Sequence, residues 1–234
     1  MTGRVYIHHR DVDGIDVDER GVAHPHSLGR WLQEVAVADS LDAGLTRETA
    51  WIIRRTRIES ERLPRFDEML ELRTWCSGMA KSAAERTIEI RGDKGAKLDA
   101  TAIWVHLDPV LRRPARLPEE FHAVYGASAA GNRARSSLRH DARPPEDAEV
   151  HEWRFVRADI DVVGHVNNTM YWRAAEQLLD LDALADSPGS LEAEYRGGIG
   201  AGLAVVHRSE GRLWFCDTSG EVAATIAAET TAPA

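Results

Sequence analysis

Residues capable of acid–base chemistry are concentrated in one short polar stretch of the second half of the chain. Asp161, Gly164, His165 and Asn167 precede a run whose apolar residues recur at helical spacing. A helix that begins there directs unpaired backbone N–H groups and a partial positive charge at a ligand in front of it. Such a position suits the carbonyl oxygen of an ester or thioester.

The side chains of this stretch can supply the remaining chemistry of acyl transfer. Asp161 could act as a base towards water or attack directly, and His165 could relay a proton or orient the water. Gly164 allows close approach of the backbone, and Glu176 on the following helix is a candidate second carboxylate. Because a thiol with a pKa of about 8.5 leaves without a strong general acid, this set favours thioesters.

Each of these residues also has a purely structural interpretation, which the sequence leaves open. Asp161 and His165 stand where short polar residues cap turns and helices, and Asn167 suits a cap even better. Gly164 can be required by a tight turn alone.

Composition narrows the classes of function. The chain has 234 residues, a net charge of -9 and 43% hydrophobic residues, which is typical of a globular protein and unsuited to general nucleic-acid binding. No apolar run approaches the length of about 20 residues that a membrane span needs. The N-terminal residues lack the apolar region of a secretory signal, so we expect a cytoplasmic location. Cys76 and Cys216 are expected to be buried free thiols, and no nucleotide or metal motif is present, so we expect no cofactor.

An internal repeat organises the chain. Residues 16–21 align without gaps on residues 159–164, and the same register places Gln33 opposite Glu176. Each half reads as a strand, a helix and four strands, which predicts an α+β fold with an antiparallel sheet wrapped around one long helix. We expect the two units to pair sheet to sheet. Asp18, which matches Asp161, marks a second or relict site of poorer quality, because Val22 stands where the second half has His165.

The predicted elements set the domain bounds. The first helix is predicted from Leu28, with Ser27 as N-cap and Gly44 as its end, and the second from residue 168 to 185. Prolines, arginines and an Ala/Ser/Gly-rich piece separate the halves and predict a linker with little to bury. We therefore predict an N-terminal domain over residues 1–122, a linker over 123–148 and a C-terminal domain over 149–234.

Several motifs in the correct order resemble the acyl-acyl carrier protein (ACP) thioesterases related to the plant FatA and FatB type. They are LQE at residues 32–34, the WII…RLP and ELRTW segments between 51 and 75, LRRPARLPEE at 111–120, HVNN at 165–168 and EYR at 194–196. The resemblance covers nearly the whole chain. It implies two fused hotdog domains, in which the N-terminal one holds the acyl chain and the C-terminal one carries the hydrolytic residues.

The sequence departs from this family at the chemistry. Val163 replaces the asparagine of the family's Asp-x-Asn-x-His run, and Gly198-Ile199 replaces its Glu-Cys pair, which excludes a cysteine nucleophile there. What remains resembles the DxDxxG loop of single-hotdog acyl-CoA thioesterases, whose second Asp is nucleophile or base. That resemblance again points to Asp161.

The implied substrate is an acyl thioester of ACP or of coenzyme A, and both carriers are anionic. Docking on this acidic chain would need a local basic cluster, for which Arg112, Arg113 and Arg116 are the candidates. A homodimer is left open. Two other functions remain open as well: a degenerate hotdog protein that binds acyl groups without hydrolysis, and a 3-hydroxyacyl dehydratase.

Overall fold

The computed structural model describes residues 3–45 and 50–230, and the outermost residues of both predicted domains lie outside this part. Its ten strands form one antiparallel sheet in the order β1-β3-β4-β5-β2-β7-β10-β9-β8-β6. The strands are β1 Tyr6–Asp11, β2 Ala50–Arg62, β3 Met69–Met79, β4 Ala83–Gly92, β5 Lys97–Leu107, β6 Glu149–Phe155, β7 Gly189–Tyr195, β8 Gly202–Ser209, β9 Arg212–Cys216 and β10 Val222–Thr230. The helices are α1 Pro25–Asp42, α2 Glu119–Ala129 and α3 Asn168–Leu178.

The sheet contains the predicted repeat. Each half has a first strand, a helix and four further strands, and the second half repeats the strand order of the first in mirror sequence. The halves join edge to edge, because β2 pairs with β7 with Arg55 opposite Glu194. They therefore share one continuous sheet, where we expected two sheets packed on each other. The predicted α+β fold is confirmed, and each half of the sheet wraps around one helix.

The bounds of the helices differ from the prediction at two ends. Helix α1 begins at Pro25 with His24 as N-cap, because proline is well suited to a first helical position, where no N–H donor is needed. Gly44 follows its end in a left-handed conformation, as predicted. Helix α3 stops at Leu178, short of the predicted residue 185, since Leu179 is extended and residues 182–185 form a separate 3₁₀ turn.

The two long helices cross at a close contact between the halves. Gly29 of α1 and Trp172 of α3 occupy the same position in the repeat. A Cβ atom on Gly29 would lie 3.4 Å from both Trp172 Cδ1 and Thr169 Cγ2, so glycine leaves just enough room for the indole. Trp172 is also held by a hydrogen bond, because its indole N–H donates to the Tyr195 hydroxyl at 2.9 Å.

The segment predicted as a linker is held more firmly than expected. Helix α2 crosses the predicted boundary at residue 122, and Tyr125 within it is fully buried. Residues 130–148 contain no helix or strand, yet the buried carboxylate of Glu194 accepts the backbone N–H groups of Arg139 and His140. Tyr125 lies within the predicted linker and is buried because α2 packs on the first half.

Asp39 ties α1 to its surroundings through a buried charge network. Its carboxylate accepts from Arg86 at 2.6 Å, from the Tyr125 hydroxyl at 2.7 Å and from Arg4 at 2.7 Å. These partners come from β4, α2 and the N-terminal segment, so one carboxylate holds α2 against α1.

Within the described residues, no helix is both long and apolar enough to cross a membrane.

We predict that Asp39→Ala lowers the free energy of unfolding by about 3–5 kcal/mol, because it leaves the buried Arg86 guanidinium without its partner. Asp42→Ala is the matched control. Asp42 pairs with the same Arg4, but its side chain is 57% exposed, so its loss should cost less than about 1 kcal/mol. Urea unfolding of both variants measures the difference. Equal losses would show that the network does not hold the helix pair.

Candidate active site

The polar stretch singled out in the sequence forms a tight turn in front of α3. The Gly164 N–H donates to the Asp161 carbonyl at 3.0 Å, and the Asp161 N–H donates to the His165 carbonyl at 2.9 Å. Gly164 has a φ of +84°, which glycine adopts without the penalty that a side chain would bring. The turn sets Asp161 and His165 side by side, and α3 begins shortly after them.

One oxygen of the Asp161 carboxylate accepts a hydrogen bond that maintains this turn, and the other has no partner among the described residues. Oδ1 accepts the Val163 N–H at 2.9 Å, which is the capping role that the structural interpretation assigned to it. Oδ2 has no hydrogen-bond or ion-pair partner in the part of the chain that the structure describes. The nearby Tyr171 hydroxyl stays protonated, because burial raises the pKa of Tyr171 and the negative charge of Asp161 adds to the rise. Asp161 can therefore serve the turn and still present one free oxygen.

Asp18 in the first half forms the same turn with a different electrostatic outcome. Its Oδ1 accepts the N–H groups of Arg20 and Val22, and its Oδ2 pairs with Arg20 Nε at 3.0 Å. Burial acts to raise the pKa of Asp18, but these hydrogen bonds outweigh it and hold the pKa below its usual value. The repeat places Val163 where Arg20 stands. The charge of Asp18 is thus neutralised within the chain, whereas that of Asp161 is not.

His165 lies against the glycine that replaces the family's acid. A Cβ atom on Gly198 would lie 2.4 Å from the imidazole Cγ, so any larger residue there would displace the ring. The Val166 N–H donates to the Ile199 carbonyl at 2.8 Å and holds the two segments together. Gly198 therefore allows the imidazole to lie directly against the backbone at this position.

Asn167 has a structural role at the start of α3. Its side-chain oxygen accepts the N–H of Thr169 at 3.0 Å and the Thr169 hydroxyl at 2.8 Å. Its backbone carbonyl accepts the Met170 N–H. Among the described residues, the Asn168 N–H has no acceptor, so it is the first-turn donor available to a ligand oxygen.

Glu176 does not lie with Asp161. It is eight residues along α3 from Asn168, which corresponds to about 12 Å along the helix axis. There its carboxylate contacts His24 and His26 of α1 across the boundary between the halves. The prediction of a second carboxylate beside Asp161 therefore finds no support in the geometry, because the helix carries Glu176 away from the loop.

A cavity of about 760 Å³ opens along the other end of α1. Val37, Ser40, Leu41 and Gly44 form its helical wall, and β2 to β5 and α2 provide the rest, including Trp51, Cys76, Ala84, Trp104 and Phe121. Both cysteines are buried and free, as predicted, and burial raises the pKa of the Cys76 thiol to about 11. Cys76 is therefore an uncharged wall residue at neutral pH.

The helix crossing brings Gln33 between this cavity and the Asp161 loop, which the sequence alone did not reveal. Gly29 contacts Trp172 and Thr169, while His24 and His26 contact Glu176, so the helices run antiparallel. Continued past Gly29, this register brings Gln33 opposite residues 167–169. Gln33 also precedes Val37 by one helical turn, so it lies on the α1 face that lines the cavity. The internal repeat, which pairs Gln33 with Glu176, was the available signal.

The three candidate docking arginines border the same cavity. Arg112, Arg113 and Arg116 are exposed in the loop between β5 and α2, and the flanking Pro109 and Pro118 both line the cavity. None of the three forms an ion pair with a described residue. The three arginines lie near the C-terminal end of α1, whereas Gln33 lies in the middle of that helix. Their positive charge is available to an anionic partner.

Two protein-family profiles match this chain in order. The sequence profile of the acyl-ACP thioesterase N-terminal domain matches residues 3–125, and that of the C-terminal domain matches residues 142–221. An uncharacterised protein of Mycobacterium tuberculosis is 25% identical over 212 residues, which are 89% of this chain and 84% of that protein.

Two solved structures share the fold along their whole length. An acyl-ACP thioesterase from Bacteroides thetaiotaomicron superposes with a TM-score of 0.81 at 18% identity, covering 97% of this chain and 98% of that one. The 12:0-ACP thioesterase from Umbellularia californica superposes with a TM-score of 0.75 at 18% identity, covering 99% of both chains. With both profiles matched in order along one continuous double-hotdog sheet, the chain belongs to the acyl-ACP thioesterase family.

Proposed function

We propose that this protein hydrolyses fatty acyl thioesters of ACP or coenzyme A, with Asp161 as the catalytic base. The observation that carries the proposal is the free Oδ2 of Asp161, next to the start of α3. In the first half the same turn has this oxygen paired with Arg20, so the difference is local and chemical. Membership of the acyl-ACP thioesterase family supports the reaction class.

The proposed reaction uses groups that are otherwise unpaired. Asp161 takes a proton from a water molecule, and the resulting hydroxide attacks the thioester carbonyl carbon. The Asn168 N–H and the positive end of α3 stabilise the oxyanion that forms. Collapse breaks the C–S bond and releases the thiolate, which leaves readily because it is a weak base compared with an alkoxide or an amide anion, and the proton held by Asp161 then passes to the thiolate or to solvent. His165 orients the water, and Gln33 faces the same space from α1.

The acyl chain occupies the cavity along α1 in this proposal. The wall that begins one turn after Gln33 is mostly apolar, as an alkyl chain requires. The second half has a smaller cavity of about 430 Å³ at the end of α3, and charged residues such as Glu149, Arg208 and Glu210 line it beside Leu178, Leu179 and Leu181, so it suits an alkyl chain less well. One apolar cavity and one unpaired aspartate together give a single site.

An acidic carrier would dock on the basic loop beside the cavity. Arg112, Arg113 and Arg116 are exposed and have no carboxylate partner among the described residues, so they can meet an anionic surface. In the assay proposed below, replacing all three with alanine should raise KM for acyl-ACP and leave kcat unchanged. An unchanged KM would remove this role.

The departures from the family favour one alternative function, and the assay described below tests it. Val163 and Gly198 replace the family's asparagine and acid, which favours a protein that binds acyl thioesters without cleaving them. A dehydratase has less support, since the His24–Glu176 contact lies at the opposite end of α1 from the cavity.

We predict that Asp161→Asn lowers the rate of thioester hydrolysis by about 100-fold or more, because the amide cannot accept the proton from water. Free thiol released from acyl-ACP and acyl-CoA of several chain lengths measures the rate. Asp18→Asn is the matched control in the symmetry-related turn and should retain most of the activity. Binding without turnover by the wild type across all substrates would instead support the non-hydrolytic alternative.

We also predict that Val37→Phe shifts substrate preference towards shorter acyl chains, because the ring would fill part of the cavity. Val37 is 43% exposed and lines the cavity, so the fold should tolerate the change. For the longest chain accepted by the wild type, kcat/KM should fall about tenfold, which corresponds to a loss of about 1.4 kcal/mol of transition-state binding. Val110→Phe, in a loop outside the cavity wall, is the control. An unchanged chain-length profile would place the acyl chain elsewhere.

A further inference from the structure

Two histidines and a glutamate from different halves meet at the N-terminal end of α1. His24 Nδ1 lies 2.5 Å from Glu176 Oε1, and His26 Nδ1 lies 3.5 Å from Glu176 Oε2. The two imidazole rings stack with their centroids 4.9 Å apart. Two ring nitrogens therefore face the two oxygens of one carboxylate.

The backbone holds these three side chains in place. His24 is the extended N-cap residue of α1, Pro25 fixes the first helical position, and His26 lies in the first turn. Glu176 is held opposite them by the Gly29–Trp172 contact, which sets the register of the two helices. Two of the three residues lie on helices, and His24 directly precedes one.

The donor atoms are screened from solvent but not sealed. The three side chains are 23%, 24% and 21% exposed. The His26 Nδ1 atom itself is shielded from solvent and has no hydrogen-bond partner within the described chain. A buried polar atom without a partner is costly, so this nitrogen is suited to an additional ligand.

We propose that His24, His26 and Glu176 bind a divalent transition metal, with Zn²⁺ as the best match. Two imidazole nitrogens and one carboxylate oxygen are a recurrent zinc donor set, which leaves a fourth position for water. The donor atoms all lie within 4.8 Å of one another. Tetrahedral zinc with ligand distances of about 2.0–2.2 Å needs donors roughly 3.3 Å apart, so the 2.5 Å contact between His24 and Glu176 must open slightly while the more distant donors close.

The charges around the cluster favour a cation there. Among the described residues, no lysine or arginine pairs with Glu176. A second His–Glu–Glu group, His140 with Glu192 and Glu194, differs in this respect, because Arg57 and Arg196 already pair with its carboxylates. The His24 cluster is thus the one of these two groups whose carboxylate is not already paired with an arginine.

A metal at this site would also affect the stability of the folded protein. A bound metal would join α1 to α3 and stabilise the folded state, because the unfolded chain lacks the preformed site.

The test uses the full-length, untagged protein after removal of metal by chelation. Isothermal titration with ZnCl₂ at pH 7.5 should show one site in the wild type. His26→Gln removes a ring nitrogen that makes no hydrogen bond, so the variant should keep its fold and its melting temperature without zinc. We expect it to bind zinc about tenfold or more weakly, a loss of about 1.4 kcal/mol or more.

The double variant His8→Asn/His9→Asn removes two histidines from β1, outside this cluster, and is the matched control. It should bind zinc like the wild type and show the same rise in melting temperature with zinc, which His26→Gln should lack. Equal zinc affinity in the wild type and His26→Gln would overturn the proposal, as would an equal loss in the control. Thioester hydrolysis does not enter this readout, so the result stands apart from the proposed function.

Discussion

The close crossing of α1 and α3 is the constraint on which the rest of the structure depends. Gly29 lies against Trp172, and each is the repeat counterpart of the other. With the helices antiparallel, the beginning of α3 faces the middle of α1, and the beginning of α1 faces the last turn of α3. The loop before α3 therefore faces Gln33 of α1, and the residues before α1 face Glu176 of α3. Neither half could form these sites alone.

The two halves share the same backbone turn but differ in the side chains that surround its aspartate. Both halves place an aspartate in the same turn, with one carboxylate oxygen bound to a backbone N–H two residues later. Arg20 neutralises the first of these aspartates, and Val163 leaves the second open. The helices differ as well, because α1 has 18 residues and α3 has 11. The extra length of α1 forms one wall of the apolar cavity.

Much of the fold could be predicted from the sequence, because its signals are local. β-Branched and aromatic residues alternating with charged ones, together with the internal repeat, indicated the strands, and Gly44 correctly marked the end of α1. The end of α3 was placed too late, since residues 182–185 continue a helical pattern as a separate turn. The helical character of residues 123–129 was missed, because composition does not show that Tyr125 reaches Asp39, which lies 86 positions earlier.

The candidate site was predictable only in part, for the same reason. The sequence identified the Asp161 loop and both of its interpretations. The structure shows one carboxylate oxygen in the capping role and leaves the other without a partner among the described residues. The sequence could not reveal that Glu176 contacts His24, which lies 152 positions earlier, or that the His165 ring fills the space beside Gly198. These contacts depend on how the helices cross and on how the segment after β7 packs against the loop.

The most direct test of this account is the rate of acyl thioester hydrolysis by Val163→Arg, compared with Val163→Met. The arginine recreates beside Asp161 the pairing that Arg20 gives Asp18, while methionine adds comparable length without charge. Val163 is 49% exposed, so both replacements should fold. We expect the arginine variant to lose about tenfold or more in rate, a change of about 1.4 kcal/mol in the barrier, and the methionine variant to stay near wild type. Equal rates in the two variants would contradict the claim that the unpaired carboxylate oxygen of Asp161 performs the chemistry.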